Sequence, residues 1–252
     1  MRGLYLIPGG FTHRRGGADE LARRRAAVQR IAGAAWTMDA WDVPGGPASI
    51  ESAYEEYLSV PGAIERVVEA EREGFNGIVL GCFGDPGIDA MREMVDIPVI
   101  GPGEASMLLA ASLGHRFSII TVLDSIIPLL ERLAWQVGVD RKLASVRAID
   151  VPVLELADNP NEAFARMVRE GERSRDQERA DAIIMGCMSM AFQGRQDDLA
   201  SRLGIPVVNP VHAAVKMMQV LCELGLRHSR RAYPTPPKIA QQPAGAKVRG
   251  AR

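Results

Sequence analysis

Two cysteines stand at equivalent points of the chain. Cys82 follows the apolar run Gly77-Ile78-Val79-Leu80 in "LGCFGDPG", and Cys187 follows Ile183-Ile184-Met185 in "IIMGCMSM", about a hundred positions later. A thiolate accepts a proton and a thiol donates one, with a free pKa of about 8.5 that a helix amino terminus lowers. Asp85-Pro86 reads as an N-cap followed by proline in the first helical position, so the amides after Cys82 are expected to face a pocket. Ser189 is the corresponding cap candidate after Cys187. Such amides also hold an anionic oxygen, which an enolate needs when a proton leaves the carbon beside a carbonyl. Two proton-transfer groups on opposite sides of one carbon invert it, because one removes the proton and the other returns a proton to the far face.

The elements that must position these thiols are written twice. Strand-like runs at 4–7, 35–42, 77–81 and 97–101 alternate with helical patterns at 18–32, 61–73, 86–94 and 104–113. The order recurs with strands at 117–122, 145–150, 181–186 and 205–209 and helices at 126–137, 161–179, 195–203 and 212–224. "IPVIGPGEA" from Ile97 aligns without a gap onto "IPVVNPVHA" from Ile205. Continuously apolar strands alternating with helices mark parallel sheets covered on both faces. The expected fold is α/β, with two pseudo-symmetric lobes, each a mainly parallel four-stranded sheet flanked by helices. Ligands in such sheets bind beyond the carboxyl ends of the strands, where both cysteines fall, so the site is expected in the cleft between the lobes. Lobe 1 is assigned to 1–102, lobe 2 to 103–209, a helix returning to lobe 1 to 210–232, and a tail to 233–252. That tail has too little apolar content to pack alone, and it either trails or docks on a neighbouring subunit. The connection from Val43 to Pro61 exceeds the usual loop length, which makes it either a surface excursion with one short helix or a cover for the cleft.

Composition narrows the function. Thirty basic residues against thirty-one acidic ones, a formal charge of -1, give no electrostatic basis for binding nucleic acid. Three cysteines make no disulfide framework and read as free thiols, and no stretch approaches the roughly twenty apolar residues of a membrane span or forms a signal peptide. The expectation is a cytoplasmic protein with a small-molecule substrate. No metal site is apparent, since histidines at ligand spacing and a close Cys-x-x-Cys are missing; nor is there a phosphate loop with lysine for a cofactor. "GPGEAS" at 101–106 is a weak dinucleotide signal whose twin reads "NPVHAA".

"LGCFGDPGIDAMRE", "IPVIGPGEA", "RFSIITV", "IIMGCMSM" and "GIPVVNPVHAAVK" together resemble the hydantoin racemase branch of the aspartate/glutamate racemase superfamily. The resemblance runs from about residue 50 to "AYPTPPK", and its most specific element is Cys-Phe-Gly-Asp-Pro-Gly with the second Gly-Cys. It implies two similar α/β lobes, no cofactor, a homo-oligomer, and Cys82 and Cys187 as the paired proton-transfer groups. The substrate implied is a 5-substituted hydantoin or a related cyclic ureide such as allantoin. Departures occur where the first strand ends, Ile7-Pro8-Gly9-Gly10 in place of the usual Asn-Pro-Asn, and in "ITVLDSIIP", which keeps Thr121 but has Val122 and Asp124.

Candidate substrate contacts are therefore Pro8 and Gly9 after the first strand, Phe83, Gly84 and Asp85 after the first cysteine, Thr121 at a strand end, and Met188 and Ser189 after the second cysteine. Glu104 and His212 occupy matching helix starts, where each either reaches the pocket or serves as an ordinary surface charge. Cys222, within "MMQVLCELG", reads as a buried helix face, and Arg23-Arg24-Arg25 as a solvated one. Arg14-Arg15 reads as a solvated loop or an anion-steering pair. Rival functions are an amino-acid racemase or small-diacid isomerase, a non-catalytic binding protein, and a thiol redox protein.

Overall fold

The computed structural model describes residues 1–13 and 16–240. Arg14-Arg15 and the tail beyond 240 lie outside the described residues. In the first half, β1 (Arg2–Ile7), α1 (Gly17–Ala32), β2 (Thr37–Asp42), α2 (Ala53–Arg72), β3 (Gly77–Leu80), α3 (Ile88–Met94), β4 (Val99–Ile100) and α4 (Pro102–Leu113) follow in order. The second half runs β5 (Phe117–Thr121), α5 (Ile127–Val137), β6 (Leu143–Ala148), α6 (Pro160–Glu178), β7 (Ala182–Met185), α7 (Met188–Ala191), α8 (Gln196–Leu203), β8 (Val207–Val208) and α9 (Pro210–Glu223).

Each half forms a four-stranded sheet, ordered β2-β1-β3-β4 and β6-β5-β7-β8, with every pairing parallel. The α/β fold with two such sheets is thus present. Helices on both sheet faces explain the uninterrupted apolar runs: every residue of β3 and of β7 is buried. Each fully buried aliphatic side chain, Leu4, Leu6 and Ile78 among them, contributes about 1.5–3 kcal/mol through removal from water. In each sheet the chain crosses to one side of the first strand and then returns on the other. The carboxyl ends of β1 and β3, and of β5 and β7, therefore flank a topological switch point.

Two boundaries differ from the sequence reading. The long connection is shorter than expected, because α2 begins at Ala53 and continues through Pro61. Its start is a capping box: Ser52 Oγ accepts from the Glu55 amide at 3.3 Å and donates to Glu55 Oε2 at 3.0 Å. Pro61 forgoes one backbone bond inside the helix but does not stop it. The helix after Cys82 begins at Ile88 behind Gly87 rather than at Pro86. Chain beyond α9 docks on lobe 1 of its own protomer as far as Tyr233. Arg230 donates to the carbonyls of Val95, Arg92 and Glu93, and Tyr233 Oη accepts from Arg92 Nη1 at 3.2 Å.

Candidate active site

One cleft of about 800 Å³, counted to its mouth, is lined by residues from all four strand ends at the two switch points. Ile7, Pro8 and Gly9 come from the end of β1, Gly81 to Gly84 follow β3, Thr121 and Val122 close β5, and Gly186 to Ser189 follow β7. Both Cys82 and Cys187 line it. The remaining cysteine, Cys222, stands elsewhere: its Sγ lies 3.3 Å from the Asn76 carbonyl oxygen on the far side of β3.

The connection before α2 forms one wall. Pro47, Ala48, Ser49 and Ile50 line the cleft, and a Cβ at Gly9 would stand 2.7 Å from the Pro47 carbonyl oxygen, so this strap rests directly on the end of β1. It is fastened to the other lobe. Glu51 Oε1 accepts from the Val153 amide at 2.7 Å, the Glu51 carbonyl accepts from Ser125 Oγ at 2.8 Å, and Glu56 faces Arg132 at 3.8 Å.

Asp85 departs from its expected role. Its carboxylate caps the amino terminus of α4 instead of its own following helix, accepting from the amides of Gly103 at 2.9 Å and Glu104 at 2.7 Å. The glycines of "GPGEAS" make room for this crossing: a Cβ at Gly101 would stand 2.2 Å from Asp85 Oδ2, and one at Gly103 would stand 2.3 Å from the Phe83 carbonyl oxygen. Their spacing thus serves the loop that carries Cys82. Burial pushes the Asp85 carboxyl up to about 8, against the pull of the two amides. Asp85 lies behind the cleft wall, while Phe83 and Gly84 are on it.

The second cysteine is differently placed. Cys187 is itself the N-cap residue of α7, and Ser189, the expected cap, accepts a hydrogen bond from Arg24 Nη2 at 2.9 Å. Thr121 Oγ1 donates to the Gly186 carbonyl at 3.4 Å. Both cysteines are half-buried in the cleft wall, and desolvation is the largest influence on each thiol. It drives the Cys82 thiol up to about 12, opposed by the Gly84 amide and reinforced by Asp85, Cys187 and Glu56. It also raises Cys187, opposed by the amides of Met190 and Ser189 and by the charge of Arg24. Lowering by backbone amides is therefore present at each sulfur and outweighed; at Cys187 it comes from the start of α7, at Cys82 from the loop amide of Gly84 ahead of α3.

The structure does not bring every candidate together. His212 is exposed at the start of α9 and lines a separate depression with Arg30, Gln196 and Asn209, outside the cleft. Glu104 pairs with Arg92 at 2.5 Å, which accounts for its charge. Conversely, Arg24 is not on a solvated face. It is 4% exposed, its Cζ lies 4.7 Å from the ring centroids of both Phe11 and Phe192, and it lines the cleft. Beneath it the Tyr5 hydroxyl is fully buried, and burial pushes its pKa up to about 12 although the charge and hydrogen bonding of Arg24 pull it down. The sequence signal for Arg24 is its place on the α1 face with the buried Val28, four residues later, a spacing that turns both side chains inward.

Comparison with known proteins agrees with this architecture. The family model described as Asp/Glu/Hydantoin racemase matches residues 15–218. A hydantoin racemase from Pseudomonas sp. (strain NS671) is 40% identical over 194 residues, covering 77% of each chain, and one from Rhizobium meliloti is 39% identical over 191 residues, covering 75% of this chain and 78% of that one. The crystal structure of allantoin racemase from Pseudomonas fluorescens superposes with a TM-score of 0.86 at 31% identity, covering 94% of this chain and 97% of the other. The paired lobes, the duplicated strand-end cysteines and these similarities over most of the chain lead to one assignment: the chain belongs to the Asp/Glu/hydantoin racemase family and is a hydantoin racemase-like racemase.

Proposed function

We propose that the protein inverts the stereocentre of a 5-substituted hydantoin or related cyclic ureide, with Cys82 and Cys187 as the two proton-transfer groups. The observation that carries this reading is that equivalent cysteines of the two lobes line one cleft. A thiolate on one side takes the ring proton, the adjacent carbonyl oxygen becomes an enolate, and the thiol on the other side protonates the opposite face. Each inversion leaves the two sulfurs with exchanged protonation states. Backbone amides following the cysteines hold the carbonyl oxygens where charge develops, and Phe83, Met188 and the strap exclude water.

Among the described residues that line the cleft, one cation, Arg24, and one carboxylate, Glu56, are present. That balance suits a neutral ring with both N–H donors and carbonyl acceptors. A dicarboxylate would bring two negative charges beside Glu56, at a cost that rises in a desolvated cleft. Allantoin falls within the proposed ureide class, and the 31% identical allantoin racemase supports including it. The test is a panel of single-enantiomer hydantoins, allantoin, and aspartate and glutamate followed by loss of optical activity. Racemisation of the cyclic ureides alone is expected. Racemisation of the acidic amino acids alone, or of nothing, would overturn the reading.

A further inference from the structure

The cleft is built symmetrically around two sulfurs, but its charges are not symmetric. Arg24 reaches it from α1, clamped between the faces of Phe11 and Phe192, with Nε 2.7 Å from Glu20 Oε1 and Nη2 2.9 Å from Ser189 Oγ. Ser189 is two residues past Cys187 in the turn that Cys187 caps, so the guanidinium is tied to the second sulfur's side of the cleft. Its counter-ion does not cancel it. Glu20 is shared with Arg23 at 2.7 Å, so the trio carries one net positive charge. Glu20 and Arg23 are 30% and 52% exposed and screened by water, whereas Arg24 is 4% exposed. On the other side, the Glu56 carboxylate from α2 lines the cleft and opposes a thiolate at Cys82, as does Asp85, behind the wall, when ionised.

Resting on the two-thiol reading, we propose that Arg24 is a positioning residue that decides which sulfur ionises first: in the singly ionised, competent form Cys187, beside Arg24, holds the thiolate, and Cys82, on the Glu56 side, holds the proton. At each sulfur all but one of the facing groups act in the same direction. Around Cys187 stand Arg24 from α1 and the amides of Ser189 and Met190, all favouring the thiolate, with Glu51 from the strap opposing. Around Cys82 stand Asp85, Glu56 and Cys187 itself, all opposing a thiolate, with the Gly84 amide favouring it. Tyr5, from β1 beneath both sulfurs, stays neutral and adds no charge to either side.

The proton count follows. In the first turnover the substrate C–H proton passes to the Cys187 thiolate, and the Cys82 thiol gives its proton to the opposite face. The enzyme is left with Cys187 protonated and Cys82 as thiolate. Cys187 then loses its proton to water and Cys82 regains one from water, which restores the singly ionised form that Arg24 favours.

The test is the pH profile of iodoacetamide alkylation at each cysteine of the native protein without substrate, read by peptide mass spectrometry. Midpoints are compared, because access differs between the two sites. In the wild type Cys187 is expected to react with the lower midpoint. Arg24→Gln is expected to raise the Cys187 midpoint by about one pH unit, an about tenfold slower reaction at neutral pH, with Cys82 nearly unmoved, and Arg24→Lys to restore most of the shift. Should Arg24→Gln not fold, Glu20→Gln leaves the guanidinium uncompensated and is expected to lower the Cys187 midpoint. A lower midpoint at Cys82, equal midpoints, or charge variants that move both sulfurs alike would overturn the assignment. These profiles are taken without turnover, so their failure is distinguishable from failure of the racemase reading, which the substrate panel decides.

Discussion

The Glu51 carboxylate accepts the Val153 amide hydrogen at 2.7 Å, and the two residues belong to different halves of the duplicated chain. This bond, with Ser125 Oγ on the Glu51 carbonyl, ties the strap of lobe 1 across the cleft onto lobe 2. Replacing the carboxylate frees the strap and also removes the negative charge that opposes a Cys187 thiolate. Glu51→Ala is expected to raise KM by about tenfold with a smaller change in kcat, since one charge-assisted hydrogen bond is worth about 1.5–3 kcal/mol. Steady-state kinetics on the preferred hydantoin checks this, and an unchanged KM with depressed kcat would contradict the role.

Asp85 supports the Cys82 loop by capping α4. Asp85→Asn keeps one acceptor oxygen but sets an NH2 donor against the second amide, and is expected to lose part of the cap. Asp85→Ala removes the cap and is expected to cost about 1–2 kcal/mol of stability by denaturant unfolding. Gly101→Ala, which would drive a Cβ to 2.2 Å from Asp85 Oδ2, is expected to resemble Asp85→Ala in stability and to lower activity as well.

Activity requires one thiolate and one thiol, and burial raises both sulfurs. The competent form is therefore a minority at neutral pH. The expected kcat/KM rises about tenfold per pH unit through the neutral range and levels off only in alkali, measured on a substrate that does not ionise there. A plateau already at neutral pH would mean that the thiols are less desolvated than the cleft makes them.

His228 anchors the chain beyond α9, its Nε2 3.1 Å from the Val99 amide nitrogen, and burial together with Arg92 lowers its pKa to about 4 from 6.5. A depressed folded value stabilises the protein fully above the unfolded value, and that stability is lost as pH falls from about 6.5 to about 4. Because the ring is only half-buried, the loss is expected to be about 1–2 kcal/mol. His228→Gln should flatten this part of a stability-against-pH curve measured by denaturant unfolding.

The duplication, the strands and the strand-end cysteines are legible in the sequence because each is local or periodic: "GIVL" and "AIIM" are continuously apolar, and "IPVIGPGEA" repeats as "IPVVNPVHA". Features that depend on distant partners are not. Asp85 satisfies a local cap pattern, but the amides it meets belong to Gly103 and Glu104. Arg24 sits in a run of three arginines, and only the opposing lobe, through Ser189 and Phe192, makes it a buried cation. The strap is intermediate: the Ser52–Glu55 capping box is readable, but Pro61 obscures the helix behind it. His212 matches Glu104 in the repeat, yet lies off the cleft because α9 turns back to pack against α1 and α4.

Racemisation of a single-enantiomer hydantoin in deuterated water, stopped at low conversion, tests the opposed pair of sulfurs most directly. The account predicts solvent deuterium in the inverted product, almost none in the recovered starting enantiomer, and no inversion by Cys82→Ser or Cys187→Ser while Cys222→Ser behaves as wild type. Deuterium entering recovered substrate as fast as product, or full inversion surviving the loss of either cleft sulfur, would contradict it.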